Sequence, residues 1–293
     1  MARRAIRVVT FNRNEEAAVS ALFDDLLMRG PWQPIRGTLG APRVQRAYAR
    51  DDWQLEHVPL KAQGNVLAAV HLADFFASRS ASTDSIVFYG CAGSLSAVNS
   101  RSVFLVESAQ YLSLGKVRSA PPPSTEVVTL NNKWLCHTSP AAHEPPLAPV
   151  VFPLCSPGGG STLDLAKLTQ LPVARVAATD KVIAVPPRTP PPALLSGMAG
   201  NQYTPDQWTY GEALGLMEVT SPHPVIIDME SYGIGRLAHA LSLQEYVAIL
   251  RVTTDALTDH ARSDAEQERL LLDGRFVLAH VLRHLFIGLT SAI

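Results

Sequence analysis

Three carboxylates carry the chemical interest of this chain. Two, Glu230 and Asp255, lie in Asp228-Met229-Glu230-Ser231-Tyr232 and Arg251-Val252-Thr253-Thr254-Asp255, segments separated by a helix-like stretch and an apolar strand-like stretch, and the third, Glu15, lies far upstream. Carboxyl groups on opposite sides of a scissile bond can serve as general acid and general base. An ionised carboxylate held by its neighbours can also accept hydrogen bonds from both hydroxyls of a diol. Ile234, Leu237, Ala238 and Leu241 recur at helical spacing after Glu230, so its carboxylate is expected near a positive helix end. Asp255 follows the strand-like run Tyr246–Leu250, which would deliver it to the carboxyl end of a buried strand, where ligands of open α/β sheets bind.

The elements that must position these groups read as alternating strands and helices. Ile6–Phe11 predicts a strand, and Glu15–Leu27 a helix with Val19, Leu22, Phe23 and Leu26 on one face. A strand followed directly by a helix opens a layered α/β fold. Trp53–Leu60 predicts another strand, ending at Gly64-Asn65, after which Val66, Ala69, Val70, Ala73 and Phe76 mark a helix packed on the sheet. Ser85–Tyr89 is apolar on both faces, as a central strand should be, and runs into a small-residue turn, Gly90-Cys91-Ala92-Gly93. Residues 264–289 predict a long closing helix.

Nine of the 22 prolines fall between Pro121 and Pro157 and five more between Pro186 and Pro192, so these stretches are not regular helix interior. They predict loop insertions around 118–160 and 186–210 over one core rather than a second domain. The expected architecture is α/β: a single domain over 1–293, with three layers, α/β/α, and a mixed central sheet.

Composition narrows the functional classes. The balance of 25 basic and 26 acidic residues, without a basic stripe or an acidic tail, argues against nucleic acid and membrane surfaces as partners. Cys91, Cys136 and Cys155 include no C-x-x-C pair, so neither a disulfide framework nor a cysteine metal site is indicated. A reducing cytoplasm fits, and the start of the chain predicts no signal peptide. His280 and His284 share a helix face but lack the glutamate of a zinc-protease motif, and Gly158-Gly159-Gly160-Ser161 lacks the lysine of a phosphate-binding loop.

Glu15 with Ala18-Val19, the Gly90–Gly93 segment, Thr179-Asp180-Lys181-Val182-Ile183, Met229-Glu230 and Thr254-Asp255 occur in an order and spacing that resembles the purine nucleoside phosphorylase superfamily. Within it the pattern is most similar to the hydrolytic branch typified by methylthioadenosine/S-adenosylhomocysteine nucleosidase. The resemblance spans roughly 6–115 and 173–290. It implies a nucleoside phosphorylase-like fold and cleavage of the bond between ribose C1′ and a purine nitrogen.

By this resemblance Asp255 is the acid at purine N7, Glu15 polarises the attacking water, and Glu230 accepts from the ribose hydroxyls with Met229 under the sugar. Val182 and Ile183, with Thr254, would line the base, and Cys91, Ala92 and Gly93 the turn near the sugar and nucleophile. Arg251 could hold Asp255 or Glu230 in place. The family usually carries serine or threonine where Cys91 stands, and often an aromatic where Val182 stands. The implied enzyme needs no metal and no cofactor, takes a purine (adenine) nucleoside or nucleotide, and is a homodimer or higher homo-oligomer. Phosphorolysis is the first rival, with Arg13 as the candidate phosphate ligand, and a catalytically silent nucleoside-binding module is the second.

Overall fold

The computed structural model describes residues 4–36, 46–77, 85–94, 102–111, 150–151, 164–179, 214, 217–256 and 263–285. Asp180, Lys181, Val182, Ile183, the 158–161 glycine run and almost all of both proline-rich stretches lie outside them.

The chain opens with β1 (Arg4–Thr10), α1 (Arg13–Arg29), β2 (Gln33–Pro34), β3 (Arg46–Arg50) and β4 (Trp53–Pro59). Next come α2 (Asn65–Ala77), β5 (Ser85–Ser94), β6 (Val103–Tyr111) and β7 (Val150–Val151). Then follow α3 (Asp164–Thr169), β8 (Val173–Ala178), β9 (Val225–Asp228), α4 (Ser231–Ala240), β10 (Val247–Ala256) and α5 (Asp264–Leu285). Among the described residues all strands belong to one mixed ten-stranded sheet in the order β10-β6-β8-β9-β5-β1-β4-β3-β2, with β7 beside β6.

That sheet also closes on itself. β10 pairs with β5 as well as with β6, so β5, β10, β6, β8 and β9 form a ring. The reading of Gly90–Gly93 as a turn is corrected here: β5 continues through it to Ser94, pairing with β10 from Ile86 to Ser94 and with β9 at Gly93 and Ser94. A run of small residues does not distinguish a turn from a strand that others approach closely.

Two helix layers cover the sheet. Val252 on β10 lies against α5, so closely that a Cβ on Gly274 would sit 2.7 Å from its Cγ2. The next side chain back, Arg251, reaches Ser231 at the start of α4. Adjacent strand residues point to opposite faces, so α5 and α4 lie on opposite sides of β10. α1 packs with α5 and α2 with α4, which completes the expected α/β/α order.

The core follows the predicted apolar runs. Ile6, Val8, Val9, Val87, Phe88 and Tyr89 are buried, as are Val19, Leu22, Phe23 and Leu26 of α1. The predicted face of α2 is corrected. Ala68, Leu72, Phe75 and Phe76 are buried, whereas Val70 is 62% exposed. α2 is apolar nearly all the way round, and such a helix has no single stripe from which its buried side can be read.

Candidate active site

The site begins at the first turn of α1. Asn12 caps the helix, its Oδ1 accepting the Glu15 N–H at 3.0 Å, while Glu15 Oε2 accepts the Asn12 N–H at 3.2 Å and the Phe11 N–H at 2.8 Å. This reciprocal capping box fixes the Glu15 side chain as firmly as the helix end. The other oxygen, Oε1, accepts the Cys91 N–H at 3.0 Å across on β5. Glu15 is only 1% exposed, so it is a buried acid pinned by three backbone amides and not a solvated first-turn residue. Glu16 is half-buried and Arg13 is exposed.

Arg251, 0% exposed, organises the other carboxylates. Its Nε donates to Asp228 Oδ2 at 2.7 Å, and its Nη2 to Glu230 Oε2 at 3.5 Å and Ser231 Oγ at 3.4 Å. Nη1 has no hydrogen-bond partner among the described residues. It lies over Gly90, where a Cβ would stand 2.1 Å from Nη1 and 2.7 Å from Glu15 Oε1. Only glycine leaves room there, and the space it leaves is where the guanidinium and Glu15 approach each other.

Asp228 has a structural share that the sequence reading did not assign. Its Oδ1 accepts the Glu230 and Ser231 N–H groups at 3.3 and 3.1 Å, and Ser231 Oγ donates to its Oδ2. It therefore takes over the start of α4, and Glu230, at the capping position, makes no side-chain cap bond. The Glu230 carboxylate instead accepts the Gly64 N–H at 3.2 Å on Oε1. Asn65 keeps that loop in place, donating to Thr179 O at 3.2 Å and accepting the Gly233 N–H at 3.0 Å.

Asp228, Glu230 and Glu15 thus surround one buried guanidinium. Burial works against the charge on Arg251, but these three acids overcome it and raise its pKa. Burial pushes Glu230 up to about 8, with Asp228 and Glu15 adding to the rise and Arg251 and the Gly64 amide opposing it. The balance of these groups makes ionisation of Glu230 harder than for a carboxylate in water.

Asp255 is placed separately. It sits at the carboxyl end of β10, opposite Gly93, just after a register shift between Thr253 and Asp255. Its Oδ2 accepts from Thr254 Oγ1 at 3.2 Å, and both its oxygens accept from Gln267 Nε2 at 3.1 Å. Arg251 therefore bonds Asp228 and Glu230 but not Asp255. Cys91, bound by Glu15, and Gly93, paired with Asp255, are two residues apart on β5, about 7 Å along the strand, so Glu15 and Asp255 border one small region.

Cys91 is half-buried, and Asn12 Nδ2 donates to its Sγ at 3.6 Å. Burial, Glu15 and Glu230 push its thiol well up, which keeps it protonated and unsuited to nucleophilic attack. Ala92 is buried and Met229 half-buried. His280 lies away from this cluster, its Nε2 3.1 Å from the Thr169 carbonyl oxygen. Among the described residues no helix is long and apolar enough to cross a membrane.

Gln267, Asn12, Asn65 and Asp228 went unassigned in the sequence. For Asn12 a signal existed, because Asn-x-x-Glu before a helix is a capping-box pattern. The others depend on contacts between segments far apart in the chain.

No protein-family model and no curated protein matches the sequence. Solved structures do match. The 5′-methylthioadenosine nucleosidase of Arabidopsis thaliana superposes with a TM-score of 0.58 at 14% identity, covering 98% of this chain and 97% of that one. A futalosine hydrolase mutant of Helicobacter pylori gives 0.56 at 11% identity, over 96% and 99%. A mutant methylthioadenosine nucleosidase of the same organism, with 5′-methylthioadenosine in its active site, gives 0.56 at 12% identity, over 96% and 97%. Such coverage at such low identity establishes architecture, and the chain has the nucleoside phosphorylase-type fold of these nucleosidases.

Proposed function

We propose that this protein is an N-glycosidase that hydrolyses the bond between ribose and a purine, adenine in particular, and releases the free base. The observation that carries this reading is the convergence of Glu15 and the unpartnered Arg251 Nη1 over Gly90, with Glu230 on the same guanidinium and Asp255 at the end of the adjoining strand. Water attacks C1′ and gives a proton to Glu15 as the carbon–nitrogen bond breaks. Its electron pair passes to the base, which takes a proton at N7 from Asp255, so the products are ribose with a C1′ hydroxyl and neutral purine. Glu230 accepts from the ribose hydroxyls, Met229 packs under the sugar, and Thr254 steadies Asp255. This arrangement parallels the acid and base pair of glycoside hydrolysis.

The cluster's charge favours water over phosphate. Phosphate would bring a dianion towards Glu15, Glu230 and Asp228, whose one guanidinium already gives Nε to Asp228 and leans Nη2 on Glu230. Bidentate capture of phosphate needs both edges of an arginine fork. Arg13 is exposed. The reading as a silent binding module is disfavoured by Glu15, a buried carboxylate held by backbone amides beside Arg251 Nη1, where an attacking water can be polarised. The protein is further proposed to be cytoplasmic and a homodimer or higher homo-oligomer, and Leu67 and Val70, 55% and 62% exposed on α2, are apolar surface that a second copy would cover.

Purified protein incubated with adenosine, methylthioadenosine, S-adenosylhomocysteine, inosine, AMP and ATP, with and without phosphate, is expected to release base in both conditions. Release only with phosphate makes it a phosphorylase, and release from none of the six overturns the reading. Glu15→Gln is expected to lower release by about 10²-fold or more, the scale of a lost general base, while Glu16→Gln stays near the wild-type rate. The reverse pattern would move the role of base to Glu16.

A further inference from the structure

Asp255 is held by a residue outside the cluster described above. Gln267 Nε2 lies 3.1 Å from both Oδ1 and Oδ2 of Asp255, so one amide group straddles the carboxylate like a fork. Gln267 is half-buried, one turn into α5. Residues four apart share a helix face, so Gln267 stands directly before Leu271, and Leu270, Leu271 and Gly274 complete that face against the sheet.

The placement of this face is tightly determined. Tyr89 Oη donates to the Leu271 carbonyl at 2.5 Å, across from β5 to α5. A Cβ on Gly274 would lie 2.6 Å from Tyr89 Oη and 2.7 Å from Val252 Cγ2, so the helix is seated on β5 and β10 as closely as a bare backbone allows. Both strands carry site residues, β5 through Cys91 and β10 through Asp255. α5 therefore presents the Gln267 amide to Asp255 in a fixed register, and Thr254 Oγ1 is the other side-chain donor to it among the described residues.

We propose that Gln267 is a positioning residue for the acid step: its amide donors fix the rotation of the Asp255 carboxyl so that the proton it carries is delivered to the departing base. This rests on the N-glycosidase reading above. Two torsions separate the Asp255 carboxyl from its strand, and without the fork Thr254 Oγ1 is the one described side chain left to restrain them. The step gives one proton from an Asp255 oxygen to N7 and returns the carboxylate to the fork as an acceptor. Glutamate at position 267 would fill the same space with no donor hydrogens when ionised. Filling space and donating hydrogen bonds are thereby separable.

The test measures kcat and KM for whichever purine substrate the wild-type protein cleaves, with thermal unfolding alongside. Gln267→Ala is expected to lower kcat by about 10²-fold, the effect of a reacting group misplaced by about 1 Å, with KM little changed. Gln267→Glu is expected to be no more active than the alanine variant. In an Asp255→Asn background Gln267→Ala should cost nothing further, because the two act as a unit. A wild-type kcat in Gln267→Ala, restoration of rate by Gln267→Glu, or a full additional loss in the Asp255→Asn background each overturns the inference while the N-glycosidase reading stands. Absence of base release by the wild-type protein overturns both.

Discussion

Replacing Asp255 with asparagine is expected to lower purine release by about 10²–10⁴-fold, the contribution of a positioned general acid. The substitution keeps the shape of the side chain and removes the proton that the proposed mechanism delivers to N7. Folding is expected to survive, because Asp255 is half-buried and one asparagine oxygen still accepts from Thr254 and from one arm of the Gln267 contact. Sugar binding is expected to survive as well, since Glu230 and Met229 come from another segment. Chromatographic release of free base under single-turnover conditions reads the effect directly, and an unchanged rate removes Asp255 from the mechanism.

Arg251→Met is expected to act on the fold before it acts on chemistry. Methionine fills much of the space of the arginine stem but leaves Asp228, Glu230 and Glu15 without the cation they share. Breaking a buried charge network by removing one partner costs about 3–5 kcal/mol, a large share of the stability of an ordinary domain. Urea unfolding should show it as a lower midpoint at unchanged slope. Its pH dependence identifies the cause. Glu230 already has a folded value of about 8, above its ordinary 4.5, so its contribution is fully present below about 4.5 and is lost as pH rises through 8. Without Arg251 that loss deepens, and the variant should be weakest in alkali and recover on acidification. A midpoint within experimental error of the wild type at pH 8 would show that the three acids do not depend on this cation.

Local pattern explains what was legible in the sequence. β1, α1, β4 and the first half of β5 were readable because their apolar periods are set by neighbours a few residues away. Glu15, Glu230 and Asp255 were singled out through their adjacency to such elements and the family resemblance, and the partners they take were less legible. Arg251 was a plausible clamp for either Asp255 or Glu230, and only the fold shows that it takes Asp228 and Glu230. The choice depends on which way side chains leave β10, and a bulge near Thr254 resets that alternation for Asp255. Gln267 carried no signal at all, because twelve residues and a change of element separate it from Asp255. The buried side of α2 was misread because its composition is nearly uniform around the helix.

The ring formed by β5, β10, β6, β8 and β9 has a consequence for how the molecule comes into being. Its two late members, β9 and β10, begin at Val225 and Val247, and each pairs with β5, which ends at Ser94. Contacts that span more than 130 residues form slowly, because the intervening chain must be gathered first. During synthesis on the ribosome, Glu15 and the Cys91 amide would emerge early and wait for Arg251 and Asp255. Until β10 docks, the candidate site lacks Arg251 and Asp255, so a nascent or truncated chain carries it incomplete.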